Sequence, residues 1–316
     1  MDILVTGAAG FIGSHVVDAL LATGHRVTGI DNFATGRREN LNLARVNGFT
    51  DTDLHDADIT DPAAVAAILR SARPEVVVHL AAQPSVNVSM REPRLDACTN
   101  IVGLINVLTS ARDSGCRKVI FSTSGGTIYG QVPDDLLPIP ENAPQQPESY
   151  YGLTKKVGTD YLRIFAREHG LEYVALALGN VYGPRQDPAG EAGVVGIFAD
   201  RLLAGEPCVV YGDGKTTRDY VYVSDVVDAV LCSLTLGAGL INIGTGVETS
   251  VLDVHAALAG HLDVPDAPVH ADPRPGEVRR VCLDVARAEA QLGWRPRVDL
   301  PAGASALLSW LRTERS

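Results

Sequence analysis

The 316-residue sequence predicts an α/β protein: a doubly wound parallel sheet with a smaller C-terminal domain. Three observations lead there. Short β-branched runs alternate with longer helical patterns from Ile3 to about Ala177. The runs are continuously apolar rather than alternating, as expected of strands covered on both faces. A glycine-rich turn joins the first strand to the first helix.

In chain order the strands are ILVTG, RVTGID, EVVVHLAA, KVIFSTS and YVALAL. The helices between them begin after Gly10, Asp61, Pro93 and Ser149. After LGNVYGP, at 178–184, the alternation weakens, and glycine and proline become frequent in PRQDPAGEAG, GDGK and ADPRPGE. The reading is a domain over 1–179 and a second over 180–316. A helix and strand in YVSDVVDAVLCSL and LINIG, within about 220–245, are expected to pack back on the first. There is no internal repeat or low-complexity tract.

Lys and Arg total 27 against 38 Asp and Glu, a net charge of -11, and no basic run could track a phosphate backbone. A nucleic-acid partner is not expected. Five scattered cysteines, Cys98, Cys116, Cys208, Cys232 and Cys282, form no CxxC pair. They read as reduced thiols, without a metal site or disulfide framework. The first strand begins at Asp2 with no leader before it, and no apolar run approaches the ~18 residues of a membrane span. The expectation is a cytoplasmic protein with no membrane partner.

Gly7, Gly10 and Gly13 stand where an apolar strand meets an amphipathic helix, with GxxGxxG spacing. Such a turn lets backbone approach a pyrophosphate, and the helix N-terminus offers free N–H groups to it. The second strand ends at Asp31, whose carboxylate can accept from ribose hydroxyls and would repel a 2′-phosphate. NAD is therefore favoured over NADP, with Arg37 and Arg38 close enough to soften the distinction.

ESYYGLTKK, at 148–156, places two tyrosines before two lysines. Residues four apart share a helix face, and only Tyr151 and Lys155 are tyrosine and lysine at that spacing. A phenol with a pKa of about 10 is a poor base at neutral pH. An ammonium one turn away, together with a positively charged nicotinamide, is expected to lower that value. The strand KVIFSTS ends in Ser122, Thr123 and Ser124, and the carboxyl end of a strand is where parallel sheets bind ligands. A hydroxyl there can relay a proton to the phenolate. Ser124 is the first choice, with Thr123 and Thr127 as substitutes.

Together, TGAAGFIGSH, GIDNFATGRRENL, ADITD, VVHLAAQ, FSTSGGTIYG, YYGLTK, GNVYGPRQDP, VYGDGKTTRDYVYVSDV, NIGTG and RPGEVRRVCLD resemble the extended short-chain dehydrogenase/reductase family, in its nucleotide-sugar epimerase branch. The resemblance covers nearly the whole chain. It implies a Rossmann domain and NAD contacts at Phe11, Ile12, Asn32, Thr35, Gly36, Asp58, Ile59, Leu80, Ala81, Ala82, Gln83, Asn100 and Ser122, besides Tyr151 and Lys155. In the second domain it implies UDP-sugar contacts at Asn180, Val194, Tyr211, Arg218, Arg274 and Glu277, with Ser124 touching the sugar. A guanidinium can bridge two diphosphate oxygens, which suits the two arginines to that task.

The implied reaction is 4-epimerisation of UDP-glucose and UDP-galactose, with Tyr151 as base, in a homodimer built from the helices after Pro93 and Ser149. UDP-N-acetylhexosamines and UDP-uronates use the same machinery. Val281 stands where some members carry a tyrosine that excludes N-acetyl groups. The chain departs from the family pattern at Pro84, in place of a lysine, at Thr159, in place of an acid, and in one extra residue before Tyr129. Dehydratases on this scaffold follow the hydroxyl with an Asp-Glu pair, and here those places hold Gly125 and Gly126. A reductase, or a non-catalytic NAD sensor, completes the alternatives.

Overall fold

The computed structural model describes residues 1–187, 193–265, 267–273 and 278–315. Seven parallel strands form the main sheet: β1 (Asp2–Thr6), β2 (Arg26–Asp31), β3 (Leu54–Asp56), β4 (Val76–His79), β5 (Lys118–Ser124), β6 (Glu172–Leu178) and β7 (Gly239–Ile243). Their spatial order is β7-β6-β5-β4-β1-β2-β3. The chain runs outward from β1 in one direction through β2 and β3, and in the other from β4 to β7. The carboxyl ends of β1 and β4 therefore open on the crevice where such sheets bind ligands.

Side chains alternate along each strand, so β1 feeds two cores. Ile3 and Val5 pack with Val16 and Leu20 of α1 (Phe11–Ala22) on one face. Leu4 packs on the other with Ile68 of α2 (Pro62–Ala72), Leu104 and Leu108 of α3 (Gly103–Asp113), and Leu162 of α4 (Tyr150–His169). Helix starts follow capping chemistry. The Asp61 side chain accepts from Ala63 N and Ala64 N, with Pro62 in the first turn. The Ser149 hydroxyl accepts from Gly152 N at 3.1 Å.

The helix expected after Pro93 is interrupted. Pro93–Ala97 passes through a π-turn over Cys98–Val102 before α3 begins. One π-turn shifts the helical register and often marks a functional site, and here it carries the buried Asn100. The strand β3, three residues at the sheet edge, has no counterpart in the sequence reading.

Beyond residue 179, α5 (Val194–Leu203), α6 (Val223–Ser233), α7 (Val251–Leu262) and α8 (Leu300–Glu314) accompany three short strand pairs. A separate core holds Phe198, Val254, Leu258, Leu307 and Leu308. α6 packs on α1, and β7 joins β6 in the main sheet. All five cysteines are free thiols. No helix among the described residues is long and apolar enough to cross a membrane.

Candidate active site

The glycine turn is built by backbone proximity. Gly7 has φ 71°, and a Cβ there would lie 2.9 Å from Ala81 N, so the 80–83 segment rests directly on the turn. A Cβ on Gly13 would fall 1.9 Å from Gly7 O, which brings α1 hard against the strand end. No side chain caps α1 at Gly10, and its first turn, with Phe11 and Ile12, contains no acid. Its N–H groups thus face the crevice with an unopposed dipole. This donor set fits a dinucleotide diphosphate.

At the end of β2, Asp31 is buried and accepts from Ala9 N and Phe33 N, each at 2.8 Å. Burial pushes its carboxyl pKa up against those bonds. Each oxygen keeps a second lone pair for a ribose hydroxyl. A Cβ on Gly36 would lie 2.7 Å from Asp31 Oδ1, so this loop also closes on the carboxylate, with Thr35 exposed beside it. Asn32 Nδ2 donates to Asp58 Oδ2 at 2.8 Å, which ties the ends of β2 and β3, and Ile59 is buried next to them. The two arginines that could blur NAD selectivity are engaged elsewhere. Arg37 pairs with Asp187 at 2.8 Å, and Arg38 lies 4.1 Å over the Phe33 ring and 3.2 Å from Asp56.

On the other side of β1, Leu80 and the half-buried Ala81 and Ala82 lead to Gln83, whose N–H donates to Asn100 Oδ1 at 2.8 Å. Lys155 Nζ is buried, donates to Ser122 O at 3.0 Å, and lies 5.0 Å over the Phe121 ring and 5.8 Å from the centroid of the Tyr151 ring. The Ser124 side chain lies near enough to the Tyr151 phenol to favour its ionised form. Ser122, Ser124, Tyr151 and Lys155 thus meet at the carboxyl end of β5. Tyr150 is 46% exposed and Lys156 reaches Asp160, so neither enters this cluster.

The electrostatics differ from the expectation. Tyr151 as a residue is only partly buried, yet its surroundings are dense. Desolvation, then the charge of Asp96, push its phenol up to about 12 against the effect of Ser124. Lys155 does not offset this in the protein by itself. Its own desolvation pulls it down to about 8, with Asp96 opposing that fall. Spacing along α4 marked the pair, whereas burial sets its protonation.

Of the residues expected to hold a UDP-sugar, Asn180 joins the cluster. A Cβ added at Gly126 would lie 3.4 Å from Asn180 Oδ1 and 4.0 Å from Ser124 Oγ. Asn180 is fixed from below by Asp219, a buried carboxylate whose own carbonyl accepts Asn180 N at 2.7 Å. Val194 opens α5, Tyr211 ends the short strand 209–211, and Arg218 lies on strand 217–218 with Nη1 2.8 Å from Thr217 O. Arg274 and Glu277 lie outside the described residues. Val281 is 1% exposed in a cluster with Ile128, Tyr129, Ile139 and Leu283.

The segment that links the two regions is clamped to α1. His15 Nε2 lies 2.9 Å from Pro184 O, and Asp18 pairs with Arg185 at 2.7 Å. Burial drives His15 down to about 4, which leaves it neutral.

Residues 3–244 match the NAD dependent epimerase/dehydratase family. The chain belongs to this family. It is 46% identical over 319 residues to a UDP-glucose 4-epimerase of Mycolicibacterium smegmatis, covering 99% of each protein. Among solved structures it is similar to the UDP-glucose 4-epimerase of Thermotoga maritima with UDP-glucose, with a TM-score of 0.95, 45% identity and full coverage of both chains. It is also similar to the Thermus thermophilus UDP-glucose 4-epimerase in complex with NAD, with a TM-score of 0.90, 41% identity and 99% coverage of each. Within the family's fold, four neighbours of the Tyr151–Lys155 pair escaped the sequence reading of the site: His79, Asp96, Phe121 and Thr154. Asp96 sits four residues before Asn100, a spacing that could have flagged it.

Proposed function

We propose that this protein is an NAD-dependent UDP-glucose 4-epimerase that interconverts UDP-glucose and UDP-galactose. The observation that carries the reading is the convergence of Tyr151, Ser124 and the buried Lys155 at the carboxyl end of β5, with the uncapped N-terminus of α1 as the cofactor end of the site. Gly7, Gly10 and Gly13 admit the diphosphate, Asp31 accepts from the adenosine ribose, and Lys155 holds the nicotinamide ribose. Bound NAD supplies the two-electron acceptor for hydrogen from sugar carbon four, and a positive ring beside the phenol.

Tyr151 removes the proton of the 4-hydroxyl, with the Ser124 hydroxyl bridging the two oxygens. The phenol starts far above neutrality, so its ionisation depends on the added positive charge and on the Ser124 side chain. For inversion the protein must let the 4-keto sugar turn over between the two transfers. The missing side chain at Gly126, between Asn180 and Ser124, leaves space there. Tyr151 then returns the proton to the 4-keto oxygen while carbon four takes back its hydride on the opposite face, which inverts the centre with no net oxidation. The region 180–316 holds the UDP-sugar through Asn180, Val194, Tyr211, Arg218, Arg274 and Glu277. Elimination has no acid-base pair at Gly125 and Gly126.

The working form is a homodimer. Tyr150, Leu153 and Ile164 expose apolar side chains on α4, and Met90, Leu95 and Val102 do so on the helices beside it. Such a shared apolar face matches an isologous interface.

The test is incubation with UDP-glucose, UDP-N-acetylglucosamine and UDP-glucuronate separately, with product stereochemistry read by NMR. Conversion of UDP-glucose to UDP-galactose is expected, and loss of ~10²–10⁴-fold in kcat for Tyr151→Phe with NAD still bound. Full activity in that variant sinks the role given to the tyrosine, and conversion of none of the three sinks the epimerase reading.

A further inference from the structure

Between Tyr151 and Lys155, α4 carries Thr154, whose hydroxyl points into the protein and donates to Asp96 Oδ2 at 2.8 Å. Asp96 Oδ1 accepts from Gln83 Nε2 and Asn100 Nδ2, each at 2.9 Å. The carboxylate is 0% exposed. Its donors are themselves interlocked: Asn100 Nδ2 also donates to Gln83 O at 3.0 Å, and Ser85 N donates to Gln83 Oε1 at 2.6 Å.

A buried carboxylate held by three neutral donors is an expensive way to fill space, and an apolar side chain of the same volume would favour folding more. Its location suggests what it is for. The three donors come from the segment after β4, from the π-turn and from α4, the helix that carries Tyr151 and Lys155. Both of those groups feel its charge, which favours the ammonium of Lys155 and disfavours the phenolate of Tyr151.

Building on the epimerase reading above, we infer that Asp96 is a positioning residue for the reaction: it locks Gln83, Asn100 and Thr154 into one frame that sets the placement of Tyr151 and Lys155, and it holds a fixed negative charge beside them. Few other titratable groups act on the pair. His79 of β4 faces Lys155, and burial keeps its imidazole neutral, with a pKa of about 3. Toward the pair β5 presents Phe121, Ser122 and Ser124, all uncharged. The sign of the Asp96 effect follows. Its charge delays ionisation of Tyr151 and preserves the ammonium of Lys155, so both titrations lie at higher pH than they would without it.

The test is Asp96→Asn, which keeps the shape. The amide oxygen can still accept from Gln83 and Asn100. The Thr154 hydroxyl can then accept from the amide and donate to Tyr151 O, already 3.0 Å away. Two titrations are followed: tyrosinate absorbance of the NAD-free protein, taken as the difference from Tyr151→Phe in the same background, and the pH profile of kcat/KM for UDP-glucose. Loss of the charge is expected to move the Tyr151 titration, and both limbs of the profile, to lower pH by roughly one unit. A merely structural Asp96 would lower activity equally at every pH and leave both titrations in place, and that result overturns the inference.

If Asp96→Asn does not fold, Thr154→Val removes one arm of the frame and leaves the charge. It is expected to lower kcat about tenfold with little change in KM, as for other misplaced catalytic groups, and an unchanged kcat overturns the inference. Absence of turnover in the wild-type protein would sink the epimerase reading instead, while the absorbance titration would still report on Asp96.

Discussion

In Lys155 the needs of folding and of chemistry oppose each other. The residue is 3% exposed, and desolvation lowers the pKa of its ammonium from 10.5 to about 8 despite the field of Asp96. The folded protein therefore binds fewer protons than the unfolded chain between those values. Stability rises with pH through that window, and below about pH 8 the whole cost of burying the charge is present. At ~1.4 kcal/mol per pH unit the fall from 10.5 to about 8 amounts to about 3 kcal/mol. Lys155→Met replaces the ammonium with an apolar chain of similar length and removes that cost. It also strips the Ser122 carbonyl of its 3.0 Å donor, a loss of about 1–3 kcal/mol. Near pH 7 the variant should thus match the wild type or exceed it by ~1–2 kcal/mol, with no turnover. As pH rises toward 10.5 the wild type should gain about 3 kcal/mol on it. Urea unfolding of both NAD-free proteins across this range measures the difference, with cofactor linkage removed. A gap between the two that stays constant with pH would refute the argument that the lysine is a desolvated ammonium.

Two further substitutions test the cofactor turn and the apolar face. In Gly13→Ala the new Cβ would lie 1.9 Å from Gly7 O and 2.8 Å from Gly7 C, both backbone atoms that only an opened turn can vacate. A cost of ~1–3 kcal/mol, a Tm lower by at least ~2 °C, and loss of bound NAD are expected by calorimetry, and NAD retention at the wild-type level would contradict it. Leu153→Glu puts a charge on the exposed face of α4, where Leu153 is 45% exposed. Sedimentation should show a dimer for the wild type and a monomer for the variant, and a monomeric wild type disposes of the dimer.

What the sequence made legible follows from the range of the interactions involved. Five strands of the main sheet appear as continuous apolar runs because parallel strands are buried on both faces, and LINIG is recognisable as β7 for the same reason. The third strand, Leu54–Asp56, is too short and too polar for any period to mark it. Tyr151 and Lys155 are found by helical spacing, which is a local property. Their protonation is another matter. It depends on Asp96, which reaches α4 through Thr154 across 58 positions of chain, and on the density packed around the phenol, which no window of sequence contains. A lysine one turn from a tyrosine argues for a depressed phenol pKa only while both remain solvated. Once they are buried, desolvation acts on each separately and lowers the lysine while it raises the tyrosine, so the pair's charge state is decided by what the fold brings to it from elsewhere.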